Sequence, residues 1–295
     1  MAHLRQRESV GAVTGIYRMS RLPIDFLQTQ SLPWQPSPWA NLSGCQIKGL
    51  SHDATNAARS LLVRFPAYWP GPADSLATEE EMLVLEGSLD LDGHREERDA
   101  YHASPPGAAR DLRAGPNGAV ALVFWSSESY GSAPERPGGA TATHFQDAFE
   151  MAWAPVPAEA TPFGRHVSSK ALRGSLADST ATMLLTVPPH VHPERWTGPQ
   201  AIASCALELF VLSGDLLAPV GQLGAGAYCW CPPGSAHGPF GSRGGALLLM
   251  RTAHGPYRIS PSSHEMTLER EPNYQPNIPP EFQWLVAHPW RVQSY

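Results

Sequence analysis

Lysine is almost missing from this chain: of its 295 residues, only Lys48 and Lys170 carry a side-chain amine. Charged residues make up 16%, against a usual share of about 25%, while 42% are hydrophobic. A chain this poor in charge is not held open by self-repulsion, which excludes charge-driven disorder. The net charge is −6, and the positive side chains are nearly all arginine. Without a basic surplus, nucleic acid is not an expected partner. No run of about 18 apolar residues occurs, so no membrane span is expected. The opening MAHLRQRESVGAV lacks the apolar core of a secretion signal. The four cysteines, Cys45, Cys205, Cys229 and Cys231, show no C-x-x-C spacing. Reduced thiols in a cytoplasmic protein are the expectation.

Proline (30) and glycine (26) are plentiful. Both weaken helix interiors, so a helical bundle is excluded and short strands with many turns are favoured. The length suggests two domains.

An internal repeat organises those strands. Val84-Leu85-Glu86-Gly87 matches Val211-Leu212-Ser213-Gly214 at an offset of 127 residues. Pro105-Pro106-Gly107 matches Pro232-Pro233-Gly234, and GAVALVFW (118–125) matches GALLLMRT (245–252), at the same offset. Upstream, residues 47–66 align with 169–188 at an offset of 122, which brings the two lysines together. The second copy therefore holds five extra residues between about 193 and 206. In each copy, apolar runs of about five to eight residues alternate with turn clusters and read as strands. Residues 1–35 are expected to be an N-terminal extension, 36–130 and 161–255 the two β units, 131–160 a linker, and 256–295 a tail. HFQDAFEMAW (144–153) is expected to form a helical turn or two inside the linker. The tail, with Trp284, Trp290 and Tyr295, is expected to pack on the body or on a partner subunit. Lys48 and Lys170 are expected to be structural anchors at matching strand starts.

In the second copy, His190-Val191-His192 follows the apolar run TMLLTV. Strand side chains alternate, so the two imidazoles face the same way and can share a metal ion, with His237 as a third ligand. The stretch from Gly226 through Pro232 and Gly234 to His237 reads G-x5-P-x-G-x2-H. It resembles the second motif of the cupin superfamily, and His190, His192 and Gly214 resemble the first. The likeness covers roughly residues 36–255. It implies an all-β chain of two tandem cupin barrels, each a double-stranded β-helix or jelly roll. The phrase YCWCPPGSAHGPFGSRGGALLLMRT resembles, more narrowly, a bacterial bicupin family with anti-sigma-factor-like (ChrR-like) cupin domains.

The family's metal-binding Glu falls at Leu207 in this sequence. Glu208 lies one place on and so on the opposite strand face, unless a bulge turns it inward. A site of three histidines, His190, His192 and His237, is therefore expected. Cys205 is a fourth-ligand candidate, while Cys229 and Cys231 read as small buried residues. Leu185, Leu207 and Leu209 are expected to line the barrel. In copy one, Tyr68, Pro70 and Arg110 stand at the histidine positions and Glu80 at the carboxylate position. An ion pair without a metal is expected there.

The resemblance implies one divalent transition metal per chain, with Fe(II) favoured and Zn, Mn, Ni or Cu as alternatives. It implies a dioxygenase that cleaves a C–C bond of a small chelating substrate, such as a diketone, hydroxyketone or phenol. A redox-neutral lyase, isomerase or hydrolase is an alternative, with Glu208 and Tyr228 as candidate catalytic residues. A non-catalytic ligand or metal sensor is another. A homodimer is expected from the family likeness.

Overall fold

A computed structural model describes residues 21–72, 74–75, 77–126, 143–189 and 195–287. Two large antiparallel sheets organise the chain, one for each repeat. Their strands coincide with the repeat offsets. Strand Glu79–Leu91 corresponds to Ala206–Ala218, Ala100–Ser104 to Ala227–Cys231, and Arg59–Phe65 to Ala181–Val187. Each sheet curls around its own apolar core. Leu61, Val63, Met82, Val84, Ala121 and Val123 fill the first. Met183, Leu185, Leu207, Leu209, Leu248 and Met250 fill the second.

The alternate residues of the same strands face the other barrel. Leu62, Leu83 and Leu122 pack there against Leu184, Phe210 and Leu249 in one shared cluster. A strand buried on both faces needs apolar residues at every position, which is why the repeat shows continuous apolar runs.

The outermost strands are exchanged. Strand Ile24–Gln28 precedes all of the first repeat, yet it pairs with Ala227–Cys231 at the edge of the second sheet. Strand His144–Asp147 precedes the second repeat and pairs with Ala100–Ser104 of the first. The registers match, with Ile24 opposite Trp230 and His144 opposite Ala103, which are equivalent positions. The expectation of helical turns at 144–153 is thus corrected: the open edge of the first sheet offers hydrogen bonds that local helix propensity cannot match. Each lysine fastens one exchanged segment. Lys48 Nζ donates to Thr29 O at 3.0 Å, and Lys170 Nζ donates to Ala148 O at 2.6 Å.

The five extra residues of copy two fall within and beside strand Arg195–Ala203, which pairs with Ile259–Glu269 of the tail and with Ala236–His237. This three-stranded flap lies beside the second barrel. The tail also carries Ile278 and Leu285 into the inter-barrel cluster. Trp290 and Tyr295 lie outside the described residues. No helix among the described residues is long and apolar enough to cross a membrane.

Candidate metal centre in the second barrel

The G-x5-P-x-G-x2-H stretch ends in the short strand Ala236–His237, where His237 pairs through its backbone with Ala201. The His237 side chain is buried. Its Nδ1 lies 3.4 Å from Ser235 O. A carbonyl only accepts, so Nδ1 carries the proton and Nε2 presents its lone pair. That Nε2 is buried and has no hydrogen-bond partner. Burial lowers the His237 pKa, against a smaller opposing effect of the Ser235 backbone contact. The ring is therefore neutral, as a metal ligand must be.

His237 stands where two spaces meet. An inner cavity of about 70 Å³ is lined by Leu207, Leu209, Cys229, Cys231 and Phe240. An outer, largely apolar groove of about 920 Å³ is walled by Pro162, Pro188, Pro189, Pro199, Ile259 and Pro261. Gln200, His237 and Phe240 border both. Pro188 and Pro189, the two residues before His190, thus line the same groove as His237. His190 and His192 themselves lie outside the described residues. Among the described residues no group of three His, Cys, Asp or Glu side chains is arranged to hold a metal ion.

Leu207 occupies the inner face, together with Cys205, Cys229 and Cys231. Burial pushes the Cys205 thiol up to about 11, and the hydrogen bond with Cys231, followed by burial, raises that of Cys229 well above its ordinary value. Cys205 and Cys229 are therefore protonated and behave as apolar lining.

The candidate catalytic residues Glu208 and Tyr228 do not face this cavity. The 206–211 stretch runs in regular register against Arg251–Ala253 and its neighbours, and the bulge comes only between Val211 and Ser213. Strand alternation therefore holds both side chains on the inter-barrel face. There Glu208 accepts hydrogen bonds from Arg21 at 2.6 Å, Arg251 at 2.6 Å, Tyr228 and Ser60. Burial alone would raise the Glu208 pKa, but the guanidinium charges of Arg21 and Arg251 hold it below the usual range. Burial pushes Tyr228 well above its usual value. A carboxylate and a phenol so firmly held serve to join the two barrels.

Asp25 is a carboxylate that does border the inner cavity. It is carried by the exchanged strand Ile24–Gln28, and its Oδ2 accepts the Asn277 N–H at 2.8 Å. The residue is exposed, and partial desolvation of its carboxyl raises its pKa against the opposing Asn277 hydrogen bond. Nothing in the sequence marks it, because it belongs to the segment before the first repeat. Arg21 is invisible to sequence reading for the same reason.

The equivalent level of the first barrel is charged. Arg110, the repeat partner of His237, lies with its Nε 3.1 Å from Glu80 Oε1, the expected ion pair. Trp125 Nε1 donates to Glu80 Oε2 at 2.8 Å. His102 and Glu96 complete the cluster, with His102 Nδ1 2.8 Å from Glu96 Oε2. Neither residue was expected from the sequence.

No family model and no curated protein matches the sequence. Solved structures do match. A "putative dioxygenase" from Nostoc punctiforme superposes with a TM-score of 0.68 at 15% identity, covering 84% of this chain and 93% of that one. The fold is that of a bicupin. Oxalate decarboxylase from Bacillus subtilis matches the bicupin with a TM-score of 0.51 at 10% identity, over 80% of this chain and 78% of its own. Streptomyces albus HEPD, solved with 2-hydroxyethylphosphonate and Fe(II), gives 0.53 at 10% identity, over 82% and 77%. At these identities the likeness establishes the fold.

Proposed function

We propose that this bicupin is a metal-dependent enzyme whose site lies in the second barrel, with His190, His192 and His237 as ligands. The observation that carries the reading is the buried, unpartnered Nε2 of His237, set where an inner cavity meets an apolar groove. A buried acceptor without a donor is costly, and a cation satisfies it. Pro189 on the same groove supports bringing His190 to it. Three neutral imidazoles suit Fe(II), Zn, Ni or Cu, and leave coordination positions open.

Within that reading the bicupin is an Fe(II) dioxygenase cleaving a C–C bond of a small chelating diketone, hydroxyketone or phenol. A bound Fe(II) supplies oxygen chemistry and polarises the substrate oxygens. The protein excludes water with Leu207, Leu209 and Phe240 and stacks the substrate body on the prolines of the groove. A redox-neutral lyase is favoured by one observation only: Asp25 gives the cavity a carboxylate that could act as base.

Metal content of the purified protein tests the site. About one iron per chain after anaerobic Fe(II) loading, lost in His237→Ala and His190→Ala, is the expected result. Metal retained in both variants, or none in the wild type, overturns it. Oxygen uptake with diketones and phenols identifies a dioxygenase. Turnover without oxygen uptake, abolished in Asp25→Asn, establishes the lyase instead.

A further inference from the structure

A cavity of about 710 Å³ lies against the first barrel, a size that takes a small organic ligand. Strand Gln46–His52 forms one side and the 3₁₀ helix Pro280–Ala287 of the tail forms another. Strand Gln35–Pro36 pairs only with Gln46 and Ile47, so from Lys48 onward this edge of the first sheet has no strand beside it. Gly49 keeps the cavity deep, since a Cβ there would meet nothing within 4 Å.

The wall is unevenly charged. Lys48 and Arg59 line it with one imidazole, His52, and one carboxylate, Glu281. Lys48 Nζ donates to the Thr29 carbonyl and Arg59 Nε to the Ala57 carbonyl, each at 3.0 Å, and neither cation forms an ion pair among the described residues. The Arg59 guanidinium lies over Trp39 at 4.7 Å and over Trp125 at 5.6 Å from the ring centres. Stacking occupies the faces of a guanidinium and leaves its in-plane N–H fork for an anion. Burial lowers the Arg59 pKa, and burial followed by the neighbouring Arg64 pushes Lys48 down to about 8, as expected of cations without a counter-charge. The second copy shows that a barrel does not need this arginine. Ala181 pairs there with Thr252 as Arg59 pairs here with Trp125.

Charge and shape select the occupant. With His52 in its neutral form, two cations and one carboxylate leave one positive charge in excess, which a monoanion neutralises and a dianion overshoots. A carboxylate matches the planar fork of an arginine. Trp39, Phe282 and Trp284 offer aromatic surface to a flat body. We propose that this cavity binds a flat aromatic monocarboxylate, with Arg59 gripping the carboxylate and Trp39, Phe282 and Trp284 holding the rings. The site is separate from the proposed metal centre, which belongs to the other barrel.

The probe is 4-benzoylbenzoate, an aromatic monocarboxylate that cross-links to its site on illumination, with its neutral amide as control. Calorimetric titration of metal-stripped protein should show one site per chain, with the same affinity in His237→Ala. The amide should bind about ten-fold or more weakly, the worth of a charged hydrogen bond. Arg59→Gln removes the fork and should weaken the acid by a similar factor. Gly49→Leu fills the cavity without touching its charge and should also weaken it. Illumination of the wild type should label residues within 32–61 or 281–284, a result that does not depend on either variant folding. No binding in the wild type overturns the proposal. So does equal affinity for acid and amide, loss of binding in His237→Ala, undiminished binding in folded Arg59→Gln and Gly49→Leu, or a label confined to the second barrel.

Discussion

Glu81 and Glu208, equivalent in the repeat, flank the guanidinium of Arg251, each with a carboxylate oxygen 2.6 Å from one of its nitrogens. The arrangement around them is pseudo-symmetric. Tyr101 donates to Glu81 as Tyr228 does to Glu208, and Thr182 donates to Glu81 as Ser60 does to Glu208. Each hydroxyl on Ser60 and Thr182 comes from the opposite barrel. Arg251 has no symmetry mate, since Phe124 stands at its equivalent place and lies under the guanidinium at 4.2 Å. One arginine therefore joins two carboxylates across the interface.

Arg251→Met should cost about 1.5–3 kcal/mol, the range for a hydrogen bond to a charged group, because Glu208 keeps Arg21 and Glu81 keeps Arg173. A drop in the urea midpoint with unchanged slope would show this. The same variant should have an altered acid limb. Burial alone would raise the pKa of Glu81, but Arg251 and Arg173 hold it well below the carboxylate range. A lowered folded pKa gives stability that is present above the unfolded value, about 4.3. It is lost as pH falls below that value, and less of it should be lost in Arg251→Met. Identical acid limbs would show that Arg251 does not hold these carboxylates ionised.

His102 should make stability fall at alkaline pH. Burial alone would lower its pKa, yet the carboxylates of Glu80 and Glu96 beside it push it up to about 9. The folded value lies above the unfolded one, near 6.5. The contribution is thus complete below about pH 6.5 and disappears as pH rises through about 9. Melting temperatures from pH 6 to 10 should fall more steeply in the wild type than in His102→Gln. Parallel curves would mean that the imidazole is neutral.

Neither half of the chain should fold alone. Cut between residues 135 and 136, the first fragment lacks His144–Asp147, and the second lacks Ile24–Gln28 and Arg21. Each would expose an unpaired sheet edge and the apolar inter-barrel face. Produced separately the fragments should be insoluble or unfolded by circular dichroism. Produced together they should co-purify as a one-to-one complex. A soluble, cooperatively melting fragment 136–295 would show that the exchanged strand is dispensable.

Gly214 closes the first motif, and its repeat partner is Gly87. Their φ angles are +77° and +73°. A Cβ on either would meet a backbone carbonyl oxygen at 2.0 Å, of Gly245 and Gly118 respectively. Gly214→Ala should therefore cost well over the ~1–2 kcal/mol of a left-handed residue alone, because a backbone carbonyl cannot swing aside as a side chain can. A melting point within 3 °C of wild type would contradict this.

Sequence alone determined the duplication, the all-β class and the inward face of each barrel. These follow from local periodicity: the alternation of Leu207 and Leu209 with Glu208 and Phe210 is written in a strand's two-residue repeat. The copy-one ion pair of Glu80 and Arg110 was legible through the same alignment. So, in principle, was the inter-barrel network, since Glu81 with Tyr101 repeats as Glu208 with Tyr228.

Tertiary structure decided what lies outside that register. The exchange of Ile24–Gln28 and His144–Asp147 depends on which sheet edge each segment reaches, and no local pattern records it. Residues 144–147 even carry a helix-like pattern, overruled by an open edge. Arg21 and Asp25 gain their places only through that exchange. Glu208 and Tyr228 looked like site residues while their neighbours were unknown. A buried carboxylate is defined by the cations that surround it, and those of Glu208 come from residues 187 positions upstream and 43 positions downstream.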